Sequence, residues 1–272
     1  MFNTIGIITK PQDITSQETA RGLGTFLKEQ GVSLLENEKD IEENADLIIV
    51  LGGDGSILNT ARTYVDSNIP ILGINLGRLG FLADVSVESM TTLVGEILSG
   101  EYIKEKRALL SCQVERDGNI LSQHLAFNEV VVHRNETPRM IELELFVDDD
   151  FVNKQRADGM IVTTPTGSTA YALSSGGPII HPSVNTICLV SISPHTMSHR
   201  PFILNGDSEV LISLIDTDDK ATVSFDGQAS FSILLGDSLR VRQHDNFIHL
   251  IHPKGYDYFE ILRSKLHWGH KV

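Results

Sequence analysis

The sequence predicts an α/β domain built on a parallel, doubly wound sheet in its N-terminal part and a mainly β domain after it, with a last helix that returns to the first domain. Three observations predict this. Up to Gly100, short apolar runs alternate with segments of helical periodicity. The run Leu47-Ile48-Ile49-Val50-Leu51 is too short for a free-standing helix, is rich in branched side chains, and leads directly into Gly52-Gly53-Asp54-Gly55, as a buried parallel strand leads into a tight turn. From about Ile103 the period changes to strand alternation, clearest in Ile141, Leu143, Leu145 and Val147.

Taken in order, residues 4–9 read as a strand, and residues 16–30 as a helix with Ala20, Leu23, Phe26 and Leu27 on one face and Gly31 closing it. Residues 32–35 give a second strand, and the acidic stretch 36–44 is expected to be exposed. After the strand 47–51, Ser56 is placed to N-cap a helix running to about Tyr64, and residues 70–74 form the next strand. A loop follows over residues 75–84, and then an amphipathic helix over 87–98. In the β region, residues 111–114, 120–125, 140–147, 210–215, 221–225 and 239–242 read as strands, with hairpin turns at Asp117-Gly118 and Asp226-Gly227. Phe259, Leu262 and Leu266 share a helical spacing, which makes the last helix. The expected division is residues 1–100 with 252–272 as the α/β domain and residues 101–251 as the β-rich domain.

A chain of 272 residues is long enough for two such cores, and 41% hydrophobic against 21% charged residues is a globular balance. With 36 acidic and 22 basic residues the formal charge is −14, which argues against a nucleic-acid surface. A polyphosphate ligand would meet the same repulsion, so it calls for backbone amides, a few placed arginines and a divalent cation. No apolar run approaches a membrane span, and residues 1–11 lack the pattern of a signal peptide, so the cytoplasm is the expected compartment and no membrane partner is expected. Cys112 and Cys188 stand alone and read as buried thiols.

The glycine turn lies where ligands bind in doubly wound folds, beyond the carboxyl ends of the strands. It lacks the Gly-Lys-Ser/Thr ending of a phosphate loop and the spacing of a dinucleotide fingerprint. Its glycines allow positive φ and remove Cβ atoms from the path of phosphates. Asp54 is its one group able to take a proton or hold a metal ion; the plain alternative is a glycine-rich turn capped by Asp. The loop 75–84 adds Gly77, Arg78, Gly80 and Phe81, which suit either a wall of a nucleotide site or a packed, glycine-hinged loop. Asn128-Glu129, at the head of Val130-Val131-Val132, can bond ribose hydroxyls or cap a strand. Residues 156–178 hold a run of small hydroxylated residues around Pro165 and Gly167 that suits recognition of a base, ribose or amide, or else a decorated turn. Asp226-Gly227-Gln228 reads most simply as a hairpin tip.

In sequence order, Gly52-Gly53-Asp54-Gly55, Gly77-Arg78-Leu79-Gly80-Phe81, Asn128-Glu129 and Asp158-Gly159 with Thr164-Pro165-Thr166-Gly167-Ser168-Thr169-Ala170-Tyr171 resemble the motif series of bacterial NAD kinases. The glycine turn is shared with diacylglycerol kinases and 6-phosphofructokinases; the long Thr-Pro-Thr string separates them. The resemblance implies transfer of a phosphoryl group from ATP or polyphosphate to the 2′-hydroxyl of the adenosine ribose of NAD, with Asp54 as proton acceptor and Mg²⁺ as the divalent cation. It implies Gly52, Gly53 and Gly55 as the phosphate-donor loop. It implies NAD contacts at Asp54, Gly55, Phe81, Asn128, Glu129, Arg139, Arg156, Asp158, Thr169, Ala170, Tyr171, Ala172, Leu173, Ser174 and Gln228, and a homo-oligomer, dimer or tetramer. No metal-ligating residue is singled out. Ala172 stands where many members have Ser, and Arg139 sits where the family varies. A lipid or sugar kinase and a dinucleotide sensor without turnover are the competing readings.

Overall fold

The computed structural model describes residues 2–10, 13–77, 80–135, 139–196, 198–217 and 220–268. The chain divides into two units, residues 1–106 with 248–272, and residues 107–247.

The first unit begins β1 (Thr4–Thr9), α1 (Ile14–Glu29), β2 (Ser33–Leu35), α2 (Glu38–Asn44), β3 (Leu47–Leu51), α3 (Asp54–Tyr64), β4 (Ile71–Asn75), β5 (Val85–Ser86), α4 (Met90–Leu98) and β6 (Tyr102–Arg107). β2, β1, β3 and β4 lie side by side in that order and pair in parallel, as a doubly wound sheet requires. β3 is buried at all five positions, which is why its residues run apolar without alternation. Leu47, Ile49 and Leu51 share a core with Leu23 and Leu27 of α1 and Met90, Val94 and Ile97 of α4.

Three details of this unit differ from the sequence reading. The acidic stretch contains the helix α2, capped by Asn37, whose side chain accepts the Asp40 amide at 2.8 Å. Its one buried residue is Ile41, seated 2.7 Å from where a Cβ on Gly6 would stand, so a single apolar contact left no helical period to read. α3 begins at Asp54 with Gly53 as its N-cap, two residues before Ser56, and none of Gly52, Gly53 and Gly55 has a positive φ. Gly52 is required by proximity instead: a Cβ there would lie 2.5 Å from Ser56 Oγ. The helix expected from residue 87 begins at Met90.

The second unit carries β7 (Leu110–Arg116), β8 (Asn119–Ala126), β9 (Glu129–Arg134), β10 (Ile141–Val147), β11 (Asp150–Ala157), β12 (Gly159–Thr163), the four-residue α5 (Tyr171–Ser174), β13 (Thr186–Ile192), β14 (Phe202–Asn205), β15 (Val210–Asp216), β16 (Ala221–Phe225), β17 (Ala229–Ile233) and β18 (Ser238–Gln243). They form two six-stranded sheets, β11-β10-β15-β18-β7-β8 and β14-β13-β12-β9-β16-β17. Leu143, Leu145, Ile212 and Val241 of the first sheet and Val130, Val132, Val162 and Phe225 of the second bury a common core. Both Asp-Gly turns have positive φ at Asp and Gly; Asp117-Gly118 makes a two-residue hairpin, whereas the loop at Asp226-Gly227-Gln228 has three residues. Cys112 and Cys188 are buried and unpaired.

The chain then returns to the first unit with β19 (Ile248–Pro253), parallel to β4, and α6 (Tyr258–Leu266), N-capped by Asp257. The final helix thus belongs to the α/β unit. Among the described residues no helix is long and apolar enough to cross a membrane.

Candidate active site

In the first unit, the glycine turn projects Asp54 from the first turn of α3 toward the loop after β4. The Asp54 carboxylate accepts three backbone amides of that loop: Phe81 on Oδ2 at 2.8 Å, and Leu82 and Ala83 on Oδ1 at 3.0 and 3.3 Å. Gly80 is needed for this grip, because a Cβ on it would stand 2.0 Å from Asp54 Oδ1. A carboxylate has about four acceptor positions, so one on Oδ2 is left over from these three bonds. Asp54 also lies at a helix N-terminus, where a negative charge is favoured. Gly53 and Gly55 are exposed beside it, and Phe81 is half-buried. Arg78 and Leu79 of the same motif lie outside the described residues.

In the second unit, Asn128 and Glu129 sit at the start of β9, and their backbone is held from two directions. The Asp226 carboxylate accepts the amides of Phe127, Asn128 and Glu129 at 2.9, 2.7 and 3.1 Å. From the other direction, Thr164 Oγ1 donates to the Phe127 carbonyl at 2.7 Å, and Thr163 Oγ1 donates to the Asn128 carbonyl at 3.0 Å. The Glu129 side chain is buried, and its Oε2 has no hydrogen-bond partner among the described residues. Burial first, and then the nearby charge of Asp226, push its carboxyl up to about 8, so at neutral pH it is a carboxylic acid able to donate.

Glu129, Asp158, Tyr171 and Asp226 line one cavity of about 570 Å³, together with Arg134, whose Nε donates to Asp158 at 2.6 Å. The hydroxylated string divides into two parts. Thr163, Thr164, Thr166 and Ser168 are buried, and their hydroxyls bond within the protein, Ser168 for instance to the Pro165 carbonyl at 2.6 Å. That part is scaffold. Thr169, Ala170 and Leu173 are half-buried, while Tyr171 and Ser174 are exposed. Ala172 packs into an apolar cluster with Val131, Ile161 and Ile180, so only its backbone remains for a ligand. Arg139, Arg156 and Gln228 are exposed, Arg156 on the edge strand β11 and Gln228 at the β16 to β17 turn. Gly80 stands in the sequence as a glycine of the loop motif, with no sign there that its missing Cβ makes room for Asp54. Asp226 was visible only as a turn former, since nothing local shows that its carboxylate reaches a segment 97 to 99 residues away.

Against known proteins, residues 32–102 match the family model described as the ATP-NAD kinase N-terminal domain, and residues 127–252 that of the ATP-NAD kinase C-terminal domain. The chain belongs to the NAD kinase family. It is 46% identical over 292 residues to the NAD kinase of Hydrogenovibrio crunogenus, covering 100% of both chains. It is 42% identical to that of Thiobacillus denitrificans, covering 100% of this chain and 99% of the relative. Among solved structures it resembles the yeast NADH kinase complexed with NADH, with TM-score 0.89 and 25% identity, covering 99% of this chain and 89% of that one. It also resembles an NAD kinase from Archaeoglobus fulgidus in complex with ATP, with TM-score 0.78 and 26% identity, covering 97% and 98%.

Proposed function

We propose that this NAD kinase family member transfers the γ-phosphoryl group of ATP to the 2′-hydroxyl of the adenosine ribose of NAD, giving NADP. The observation that carries the chemistry is the single carboxylate of the glycine turn, oriented by three amides and left with one acceptor position on Oδ2. That position takes the proton of the attacking hydroxyl, a contribution of ~10²–10⁴ in rate for a well-placed base. The exposed backbone at Gly53 and Gly55 opens α3, where the positive end of the helix dipole receives the donor phosphates. Asn128 and the protonated Glu129 fix the ribose hydroxyls, one offering an amide and the other a carboxylic O–H. Phe81, Asp158, the stretch Thr169 to Ser174, Arg139, Arg156 and Gln228 are assigned to the rest of the dinucleotide.

Among the described residues no group of three or more His, Cys, Asp or Glu comes together to hold a metal. This donor set suits Mg²⁺, which keeps several waters and rides on nucleotide phosphates rather than in a protein cage. Bound there, the ion would neutralise charge on the phosphoryl group. We assign the chain to the cytoplasm, as a dimer or tetramer, with no nucleic-acid or membrane partner.

The test is incubation of the chain with NAD, Mg²⁺ and either ATP or polyphosphate, with NADP read by an NADP-specific dehydrogenase. NADP formation with ATP is expected. Failure with NAD alongside phosphorylation of diacylglycerol or a sugar phosphate would overturn the reading, and tight NAD binding without turnover would make the protein a sensor.

A further inference from the structure

We propose that His252 is a positioning residue for Asp54: its imidazolium holds Asp84, and Asp84 anchors the loop whose amides grip the Asp54 carboxylate. The inference rests on the kinase reading above and deepens it.

His252 lies on β19 and is 1% exposed. Its Nδ1 is 3.0 Å from Asp84 Oδ2, and its Nε2 is 3.2 Å from Glu105 Oε2 on β6. An ionised carboxylate can only accept, so both ring nitrogens must donate, and only the imidazolium does that. The ring is stacked on Tyr256, with centroids 3.8 Å apart at 16°. Burial alone would lower the ring's pKa, but the bonds to Asp84 and Glu105, with their charges, outweigh it and raise it above the usual histidine value.

Asp84 directly follows Phe81, Leu82 and Ala83, the three residues whose amides bind Asp54. Its other oxygen, Oδ1, is buried without a hydrogen-bond partner among the described residues, which leaves the imidazolium as the bond that fixes this carboxylate. Among the described residues His252 is the one cation paired with Asp84, while Arg263 of α6 pairs with Asp257 at 3.4 Å. The cavity bordered by Asp84 and Tyr256 is lined further by Glu96 of α4 and by Asp257 and Glu260 of α6, with no basic residue in its described lining. Loss of the ring proton therefore leaves Asp84 or Glu105 facing a lone pair across the bond that the proton had made. The loop then loses this side-chain tie while β5, paired with β4 from Val85 on, still holds its far end, and the grip of residues 81–83 on Asp54 loosens.

The sign follows from the raised pKa. The clasp is complete below the free histidine value and is lost as pH rises through the folded-state value. The experiment is an NMR pH titration of the full chain with ¹⁵N label, following the His252 ring and the amides of Phe81, Leu82 and Ala83, beside kcat and KM for NAD over the same range. The ring should carry both protons at neutral pH, and the three amides and kcat should change together with its titration. In Glu105→Gln, which keeps an acceptor at Nε2 but removes a charge, all of these transitions should move to lower pH. In His252→Gln, kcat should fall ~10- to 100-fold with KM for NAD within about threefold, and the alkaline transition should vanish.

Amides that stay fixed while the ring titrates would overturn the proposal, as would a ring with one proton at neutral pH. So would a His252→Gln chain that melts earlier but keeps full kcat, because that is a merely structural histidine. A wild-type chain that makes no NADP, yet whose three amides follow the ring, would remove the kinase reading and leave the coupling standing.

Discussion

The amide of Phe81 donates to Asp54 Oδ2 at 2.8 Å, and with Leu82 and Ala83 it makes a backbone cradle around a carboxylate that comes from a different turn of the sheet. Orientation of the proposed base is therefore set by main-chain atoms of the loop.

Gly80 is the residue on which that cradle depends sterically. Gly80→Ala would put a methyl group 2.0 Å from Asp54 Oδ1, and neither backbone nor carboxylate can give way without breaking the amide bonds. We expect turnover to fall by at least ~10²-fold, the scale on which a displacement of about 1 Å acts on catalysis. Steady-state kinetics decide it; a Gly80→Ala chain with normal kcat would show that the contact is relieved at no cost to the chemistry.

The Asp226 carboxylate supports Asn128 and Glu129 in the same manner. Asp226→Asn places an amide N–H against one of the three backbone donors and removes the charge beside Glu129. A loss of ~1–3 kcal/mol in folding stability is expected from the donor left unsatisfied. The Glu129 carboxyl should titrate below its present value of about 8, though burial, the larger cause, remains. Chemical denaturation and a carboxyl-resolved NMR titration measure the two effects separately.

Glu129 also predicts how stability depends on pH. Its folded-state pKa of about 8 lies above the unfolded value of about 4.3, so the folded chain holds an extra proton between these limits. Its contribution is present below pH ~4.3 and is lost as pH rises through ~8. Relative to wild type, Glu129→Gln should gain stability progressively across that window. Denaturation midpoints of both proteins at several pH values give the comparison, and parallel curves would place the Glu129 pKa near the ordinary range.

Activity should require a divalent cation, given the charge of −14 and a glycine turn without a lysine. Excess EDTA should abolish turnover and Mg²⁺ should restore it. Undiminished rates in EDTA would count against phosphate neutralisation by a metal ion.

Much of this was legible in the sequence, for identifiable reasons. β3 and its glycine turn could be read because a strand buried on both sides must be continuously apolar, and because the glycines mark its end, although only Gly52 is sterically required there. β10 could be read because it has one buried face, whereas β12, buried at all five positions, has no alternation to show. α2 was hidden because one residue, Ile41, carries its packing. The hydroxylated string was recognisable as a motif, but its division into buried scaffold and exposed contact residues depends on where the chain brings Phe127 and Asn128. Long-range bonds such as Asp226 to Asn128 and His252 to Asp84 leave no local mark at either end.

The central claim is that Asp54 accepts the proton of the ribose hydroxyl, and Asp54→Asn tests it most directly. The substitution keeps the shape of the side chain and removes its basicity, while setting an N–H against one of the cradle amides. Initial rates of NADP formation should fall by ~10²–10⁴. NAD affinity, measured by calorimetry on the same preparations, should change far less. Asn128→Ala serves as the control, because loss of a positioning contact should weaken binding as well as rate. An Asp54→Asn chain that folds, binds NAD and turns over near the wild-type rate would make Asp54 a structural cap of the loop, and would contradict the mechanism.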